Sequence, residues 1–120
     1  MPVVHVRAAP FDRGDAATTL RAVAAAVAAA VPCEERGVWC TFATIDVQTV
    51  GVDVREGEGR IAYVDVWLRP RDDDEAGARA LEAACRAAAA GLGLPVEDVW
   101  GTLRPVRPGR VFAGGALVED

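Results

Sequence analysis

Two stretches decide the fold: residues 4–10 read VHVRAAP, and residues 64–70 read VDVWLRP. Aligned at an offset of 60, the two stretches share both valines and the final proline. A second pair, GVWCTFATI at 37–45 and DVWGTLRPV at 98–106, aligns at an offset of 61. Self-similarity at a nearly fixed period indicates that one structural unit is written twice in the chain.

A helix is predicted between the two members of each pair. In both copies apolar residues recur at the three-to-four-residue spacing that is typical of an amphipathic helix. Gly91 is the predicted C-terminal stop of the second helix. The residues that carry the spacing are Leu20, Val23, Val27 and Val31 in the first copy, and Leu81, Ala84, Cys85 and Ala88 in the second.

The pattern is therefore strand–helix–strand, twice, and such a crossover makes a parallel pair of strands. We predict an α+β fold: a tandem β-α-β repeat forming a four-stranded mixed sheet with two helices on one face. The 120 residues form a single domain made of two units, about 1–58 and 59–120. The segment 51–63, which contains a Gly-Glu-Gly turn, is expected to form a hairpin, and 107–120 a loop or small ribbon.

Strand periodicity assigns a mixed character to the sheet face away from the helices. Tyr63, Asp65 and Trp67 share that face with His5 and Arg7, because successive side chains of a strand alternate. The face is too apolar for water and too charged for a dry core, which predicts an oligomer that encloses it. His5 is expected to be satisfied there, against Asp65.

Composition excludes several classes of function. The net charge is −5, and the thirteen basic side chains are all arginine with no basic run, so no nucleic-acid partner is expected. A single histidine and three cysteines without C-x-x-C spacing argue against a metal site or a disulfide framework. No apolar run is long enough for a membrane span and no signal peptide is evident, so a cytoplasmic protein is the expectation.

The chain begins MPVVHV, and initiator methionine is commonly removed before a small residue such as proline. Pro2 would then carry a free secondary amine. Because the chain has no lysine, that amine would be its only one.

The MPVVHV start, the repeat and the sequence GVWCTF resemble the tautomerase superfamily, whose members include 4-oxalocrotonate tautomerase, macrophage migration inhibitory factor and malonate semialdehyde decarboxylase. The resemblance covers nearly the whole chain and implies a homotrimer that needs no cofactor. It also implies that Pro2 is the catalytic group and that arginines bind a substrate carboxylate. Arg13 lies within a residue of the arginine that follows the first strand of the short members. The triplet Arg69-Pro70-Arg71 resembles the paired-arginine segment of the decarboxylase.

The chain also departs from the family pattern. Trp39 stands where the short members have a second-strand arginine, and it is expected to wall the substrate pocket instead. The stretch WGTLRPV at 100–106 has no acid, which argues against hydrolytic dehalogenation.

Three functions follow as expectations. The first is a tautomerase of small enol or 2-hydroxydienoate acids, with Pro2 as general base. The second is a decarboxylase or hydratase of a 3-oxo acid. The family enzymes with this activity usually have an aspartate near the second strand, and Glu34, Glu35 or Asp46 would have to take its role here. The third, of another class, is a non-catalytic trimeric interaction protein.

The antiparallel pairing of the first and third strands would bring Pro2 beside Arg69 and Arg71.

Overall fold

The structure, a computed structural model, describes residues 2–9, 16–31, 37–55, 61–69 and 74–118. Two α-helices, the short 3-10 helix Val96–Asp98 and eight strands lie in these ranges. The α-helices and strands follow in the order β1 Val3–Ala8, α1 Ala16–Ala30, β2 Trp39–Thr44, β3 Gln48–Val50, β4 Asp53–Arg55, β5 Ala62–Leu68, α2 Asp74–Leu92, β6 Val99–Pro105, β7 Val111–Ala113 and β8 Ala116–Val118.

The main sheet has four strands in the order β2-β1-β5-β6. Strand β1 pairs in parallel with β2, and β5 pairs in parallel with β6, as each crossover helix requires. The two central strands, β1 and β5, are antiparallel, so the two β-α-β units are related by a pseudo-two-fold axis through the sheet centre. The predicted four-stranded mixed sheet is confirmed. The predicted unit boundary near residue 58 lies outside the described residues.

The strand alternation places the core on one side of the sheet. Val4, Val6 and Ala8 of β1 are fully buried, and so are the alternate residues of β5 from Ala62 to Val66. Val23 and Val27 of α1 cover this face, together with a row of alanines on α2 that lets both helices approach closely. The predicted face assignment is confirmed. Neither described helix is long and apolar enough to cross a membrane.

The glycine that ends helix α2 lies two residues later than predicted. The helix continues through Gly91 to Leu92, and Gly93 adopts φ +70° just beyond it. Leu94 N donates to Ala89 O at 2.9 Å and Gly93 N donates to Ala90 O at 3.4 Å, which are the two bonds of a Schellman motif. Gly91 was therefore the wrong stop: a Cβ there would lie 2.6 Å from Thr19 Oγ1 of α1. Its role is to let the two helices touch.

Two small hairpins extend from the sheet. Strands β3 and β4 form the first, with its turn at Gly51 and not at the Gly-Glu-Gly sequence, which lies outside the described residues. Strands β7 and β8 form the C-terminal ribbon, and the positive φ of both Gly114 and Gly115 is the type I′ geometry that matches strand twist. The predicted ribbon is thus confirmed.

Candidate active site

A cavity of about 410 Å³ lies where the open face of β1 and β5 meets the C-terminal ribbon. One wall comes from the strands and the other from the chain after β6. Most of the lining is apolar, as is usual for a small-molecule site. The apolar lining residues are Val3, Trp67, Leu68, Val106, Pro108, Val111, Phe112 and Val118, and the polar ones are His5, Arg69, Arg107 and Arg110.

Backbone hydrogen bonds fix how the ribbon meets the sheet. Val106 N donates to Leu68 O at 2.9 Å, which extends the β5–β6 ladder past the end of both strands. Arg69 and Arg107 each follow one member of this bonded pair. The strand pairing thus places two arginines that are far apart in sequence at the same cavity.

The charge of the cavity is strongly one-sided. Among the described residues, three guanidinium groups line it and no Asp or Glu does. Within the described part of the chain, no carboxylate oxygen lies within 4.0 Å of Arg69, Arg107 or Arg110. A cluster of cations at a largely apolar wall is suited to binding carboxylates through charge-assisted hydrogen bonds.

His5, the single histidine of the chain, also lines the cavity. Its Nδ1 is hydrogen-bonded to the Thr41 hydroxyl, and its ring meets the Trp67 ring edge-on with centroids 5.9 Å apart. The register does place His5 opposite Asp65, as expected. The predicted contact with that carboxylate is nevertheless replaced by the Thr41 bond.

Asp65 has other partners, which explains the difference. The Thr102 hydroxyl donates to Asp65 Oδ1, and Arg7 and Arg104 approach the carboxylate at 3.9 and 3.8 Å. These arginines also lie over the rings of Tyr63 and Trp67. The middle of the open face is therefore a polar network centred on the Asp65 carboxylate. It is distinct from the cations of the cavity, which have no carboxylate partner among the described residues.

Pro2 lies at the edge of this site. It is buried, and its carbonyl oxygen accepts a 3.1 Å hydrogen bond from Trp39 N. Val3, the next residue, lines the cavity and pairs with Trp67, so one further step along the antiparallel register brings Pro2 level with Leu68. Pro2 itself is not a lining residue.

Three predicted site residues remain, and the structure describes only one of them, Trp39. Trp39 begins β2 beside Val3, is 56% exposed and does not line the cavity of a single chain. Its contact with substrate stays a prediction. Arg13 and Arg71 lie outside the described residues. Of the residues predicted for the site, the structure thus brings Arg69 into the cavity and Pro2 next to its wall.

Sequence reasoning missed Arg107 and Arg110. The stretch RPVRPGR at 104–110 spaces three arginines evenly around two prolines, which was the available signal. That signal is ambiguous, because Arg104 pairs with Asp65 while the other two face the cavity.

The described thiols are not suited to nucleophilic chemistry. Burial raises the pKa of both Cys40 and Cys85, which holds them as neutral thiols near neutral pH. Among the described residues, no group of three or more His, Cys, Asp or Glu side chains is placed to hold a metal ion.

Solved structures share this architecture. The Q0 fused 4-OT, solved as a symmetric trimer, is 21% identical over 98% of this chain and 95% of its own, with a TM-score of 0.83. N1, a member of the cis-3-chloroacrylic acid dehalogenase family, is 17% identical over 97% of this chain and 82% of its own, with a TM-score of 0.78. Pt0534, solved after inactivation by 2-oxo-3-pentynoate, is 13% identical over 98% and 95%, with a TM-score of 0.78.

No protein-family model and no curated protein sequence matches the chain. The likeness in three dimensions nevertheless extends over almost the whole molecule. The chain has the tautomerase-superfamily fold, in its two-unit form.

Proposed function

We propose that the protein is a cofactor-independent keto–enol tautomerase of small enol or 2-hydroxydienoate carboxylic acids. In this proposal Met1 is removed, the Pro2 amine is the general base, and Arg69 binds the substrate carboxylate. The observation that carries the proposal is the cavity beside the start of β1, where guanidinium groups without a described carboxylate partner meet an apolar wall.

The cationic cavity favours a neutral amine at Pro2. A free α-amino group titrates near pH ~7.7–8.0. A guanidinium about 7 Å from the amine costs the protonated form about 2 kcal/mol at an effective dielectric constant of about 20. Such a cost lowers the pKa of the amine and leaves a larger neutral fraction at pH 7, which is the form that accepts a proton.

The proposed reaction needs one general base and one group that binds the substrate carboxylate. Pro2 takes the proton of the enol hydroxyl, or a proton α or γ to the carbonyl in the reverse direction. Arg69 holds the carboxylate and stabilises the negative charge that spreads over the dienolate. The protonated Pro2 then gives the proton to a carbon of the dienolate in the forward direction, or to its oxygen in the reverse direction. The reaction is therefore an isomerisation with no net change in composition.

A homotrimer is part of the proposal. The similar fused 4-OT structures are trimers. Several large apolar side chains are exposed in the single subunit, as expected if neighbouring subunits cover them in an oligomer. They include Trp39, Trp100, Phe112 and Leu117.

The decisive experiment combines intact mass with Pro2→Ala. We expect a mature chain that lacks Met1 and that ketonises phenylenolpyruvate. The kcat/KM of the Pro2→Ala variant should be lower by a factor of at least about 100, since a positioned base contributes at least that factor. The control is Pro95→Ala, at an exposed proline before the 3-10 turn, which should keep full activity.

Covalent labelling gives an independent readout. The acetylenic acid 2-oxo-3-pentynoate, which inactivates the similar Pt0534, should add to the Pro2 nitrogen and map to the first tryptic peptide. Retained Met1, or equal turnover by Pro2→Ala, would refute the proposed base.

The two other functions are outcomes of the same assays. Loss of CO₂ from malonate semialdehyde without enol turnover would identify the decarboxylase. A trimer that turns over no acid would identify the interaction protein.

A further inference from the structure

Trp67 forms part of the strand wall of the cavity. It lies two residues before Arg69, and both side chains line the cavity. Its cross-strand partner on β1 is Val3, the residue after Pro2. The indole therefore belongs to the same part of the cavity as the proposed general base and the proposed carboxylate-binding group.

Side chains from both neighbouring strands contact the Trp67 ring. On the β1 side, the His5 ring meets it edge-on with centroids 5.9 Å apart. On the β6 side, Arg104 is its direct cross-strand partner, and the guanidinium carbon lies 5.7 Å from the centre of the indole. That distance is within the range of a cation–π contact. The orientation of this exposed indole therefore depends on where the Arg104 guanidinium is held.

The Asp65 carboxylate holds Arg104 in this place. Arg104 Nε lies 3.8 Å from Asp65 Oδ1, and the Thr102 hydroxyl donates a hydrogen bond to the same oxygen. An arginine side chain has many rotamers, and the ion pair restricts them to those that keep the guanidinium over the ring. Neither Asp65 nor Arg104 lines the cavity. Both nevertheless act on it, because Trp67 does line it.

Arg7 makes the same two kinds of contact but reaches a different ring. Its guanidinium lies 3.9 Å from the other oxygen of Asp65, and its guanidinium carbon lies 5.5 Å from the centre of the Tyr63 ring. Tyr63 does not line the cavity. The two arginines thus share one carboxylate, and only Arg104 contacts an aromatic ring of the cavity. Arg7 is therefore the matched control for Arg104.

We propose that the Trp67 indole contacts the body of the substrate, and that Asp65 and Arg104 are positioning residues that hold the indole in the orientation the substrate meets. An indole face is a flat apolar surface, which fits the planar body of an enol acid. The inference rests on the proposed function in taking this cavity as the substrate site. It adds one contact residue and the two side chains that act through it.

The first test compares phenylenolpyruvate turnover by Arg104→Gln, Asp65→Asn and Arg7→Gln. The indole contacts the substrate body equally before and during the reaction, so a misplaced indole raises KM and leaves kcat unchanged. We expect KM to rise at least about threefold in Arg104→Gln and in Asp65→Asn, the scale of one partly exposed cation–π contact. Arg7→Gln should keep the parent KM. Arg104→Lys keeps a cation for both contacts and should keep most of the parent affinity.

The charges of these variants separate positioning from simple electrostatics. Arg104→Gln removes a positive charge and Asp65→Asn removes a negative one, so through the field alone they would change the affinity for an anionic substrate in opposite directions. A displaced indole weakens binding in both. Arg7→Gln makes the same charge change as Arg104→Gln. The double variant Asp65→Asn, Arg104→Gln should have a KM close to that of each single variant, because the two residues act through one contact.

The second test follows the indole without turnover. The chain has three tryptophans, and the indole N–H signal of Trp67 in a two-dimensional proton–nitrogen spectrum is identified by its loss in Trp67→Phe. We expect this signal to shift in Asp65→Asn and to stay in place in Arg7→Gln. Cinnamate, a planar acid that is not turned over, should shift it in the parent protein.

A lower kcat at unchanged KM, an equal rise of KM in Arg7→Gln, or a Trp67 signal that moves neither in Asp65→Asn nor with cinnamate would overturn the inference. A parent protein without turnover contradicts the proposed function alone. The dissociation constant of cinnamate, measured from the same spectra, then replaces KM and must rise in Arg104→Gln and Asp65→Asn. Absence of cinnamate binding in that protein would overturn both proposals. Pro2→Ala should lose turnover and keep the parent affinity for cinnamate.

Discussion

At the scale of single residues, two neighbouring glycines of α2 have opposite reasons to be glycine. Gly93 is needed for its backbone, because its positive φ closes the helix. Gly91 has ordinary helical geometry and is needed for its missing side chain, since Thr19 of α1 occupies the space. A sequence pattern cannot distinguish these reasons, which is why the predicted stop fell two residues early.

This difference makes Gly91→Ala informative. Alanine gains up to ~1 kcal/mol of helix propensity, and forcing a methyl into a filled contact costs about 1–3 kcal/mol. We expect a net loss of stability in urea unfolding, restored when Thr19→Ala is added. Gly77→Ala on the same helix is the control, because its Cβ would lie 2.9 Å from the movable tip of the Leu103 side chain and 4.0 Å from Leu68 Cδ2. A Gly91→Ala protein as stable as the parent would contradict the proposed helix contact.

At the scale of elements, one side chain joins the β3–β4 hairpin to the main sheet. Gln48 is 7% exposed, and its amide bonds to both the N–H and the carbonyl of Ile61, just before β5. The side chain thus acts as one more rung of a strand ladder. It satisfies both backbone groups of Ile61, which is only partly exposed to water.

The matched substitution is Gln48→Glu, which keeps the shape and the acceptor for Ile61 N–H but loses the donor for Ile61 O. Leaving that carbonyl unsatisfied, beside a partly buried carboxylate, should cost about 1–3 kcal/mol at pH 7. Faster amide exchange at Ile61 should accompany the loss. Thr49→Ala, at an exposed neighbour in the same strand, should change neither quantity. Equal exchange rates in Gln48→Glu and the parent would show that the hairpin is held by other contacts.

At the scale of the whole molecule, the open sheet face divides into two regions. The Asp65 network in the middle pairs one carboxylate with Arg7 and Arg104. The edge strands display Trp39 and Trp100, which are 56% and 62% exposed. The repeat places these tryptophans at pseudo-equivalent positions on opposite edges. Large apolar side chains at both edges favour a closed ring of subunits.

We therefore expect a solution mass near three times the 12.6 kDa of one chain. Trp100→Glu puts a charge into the expected contact and should shift sedimentation toward the single chain. Ala78→Glu, which adds the same charge at an exposed position of α2, should leave the mass unchanged. A parent protein that sediments as one chain would remove the trimer from the proposal.

Much of the fold can be predicted from the sequence because it depends on short-range periodicity. Alternating valines set the buried faces of β1 and β5, and apolar spacing set both helices. The repeat then required two similar units, and their pairing at the sheet centre followed. The hairpin turn at Gly51 was missed, because both Gly51 and the later Gly-Glu-Gly sequence are adequate turn formers.

The sequence by itself determined the strands, the helices and the two-fold plan, because hydrophobic periodicity is a property of neighbouring residues. It also singled out Pro2 and Arg69 as members of one candidate site. Only the tertiary structure decided that Arg107 and Arg110 face the same cavity as Arg69, while Arg104 turns to Asp65. That choice depends on the Val106–Leu68 bond and on the path of the ribbon across the sheet, and such long-range contacts leave no period in the chain.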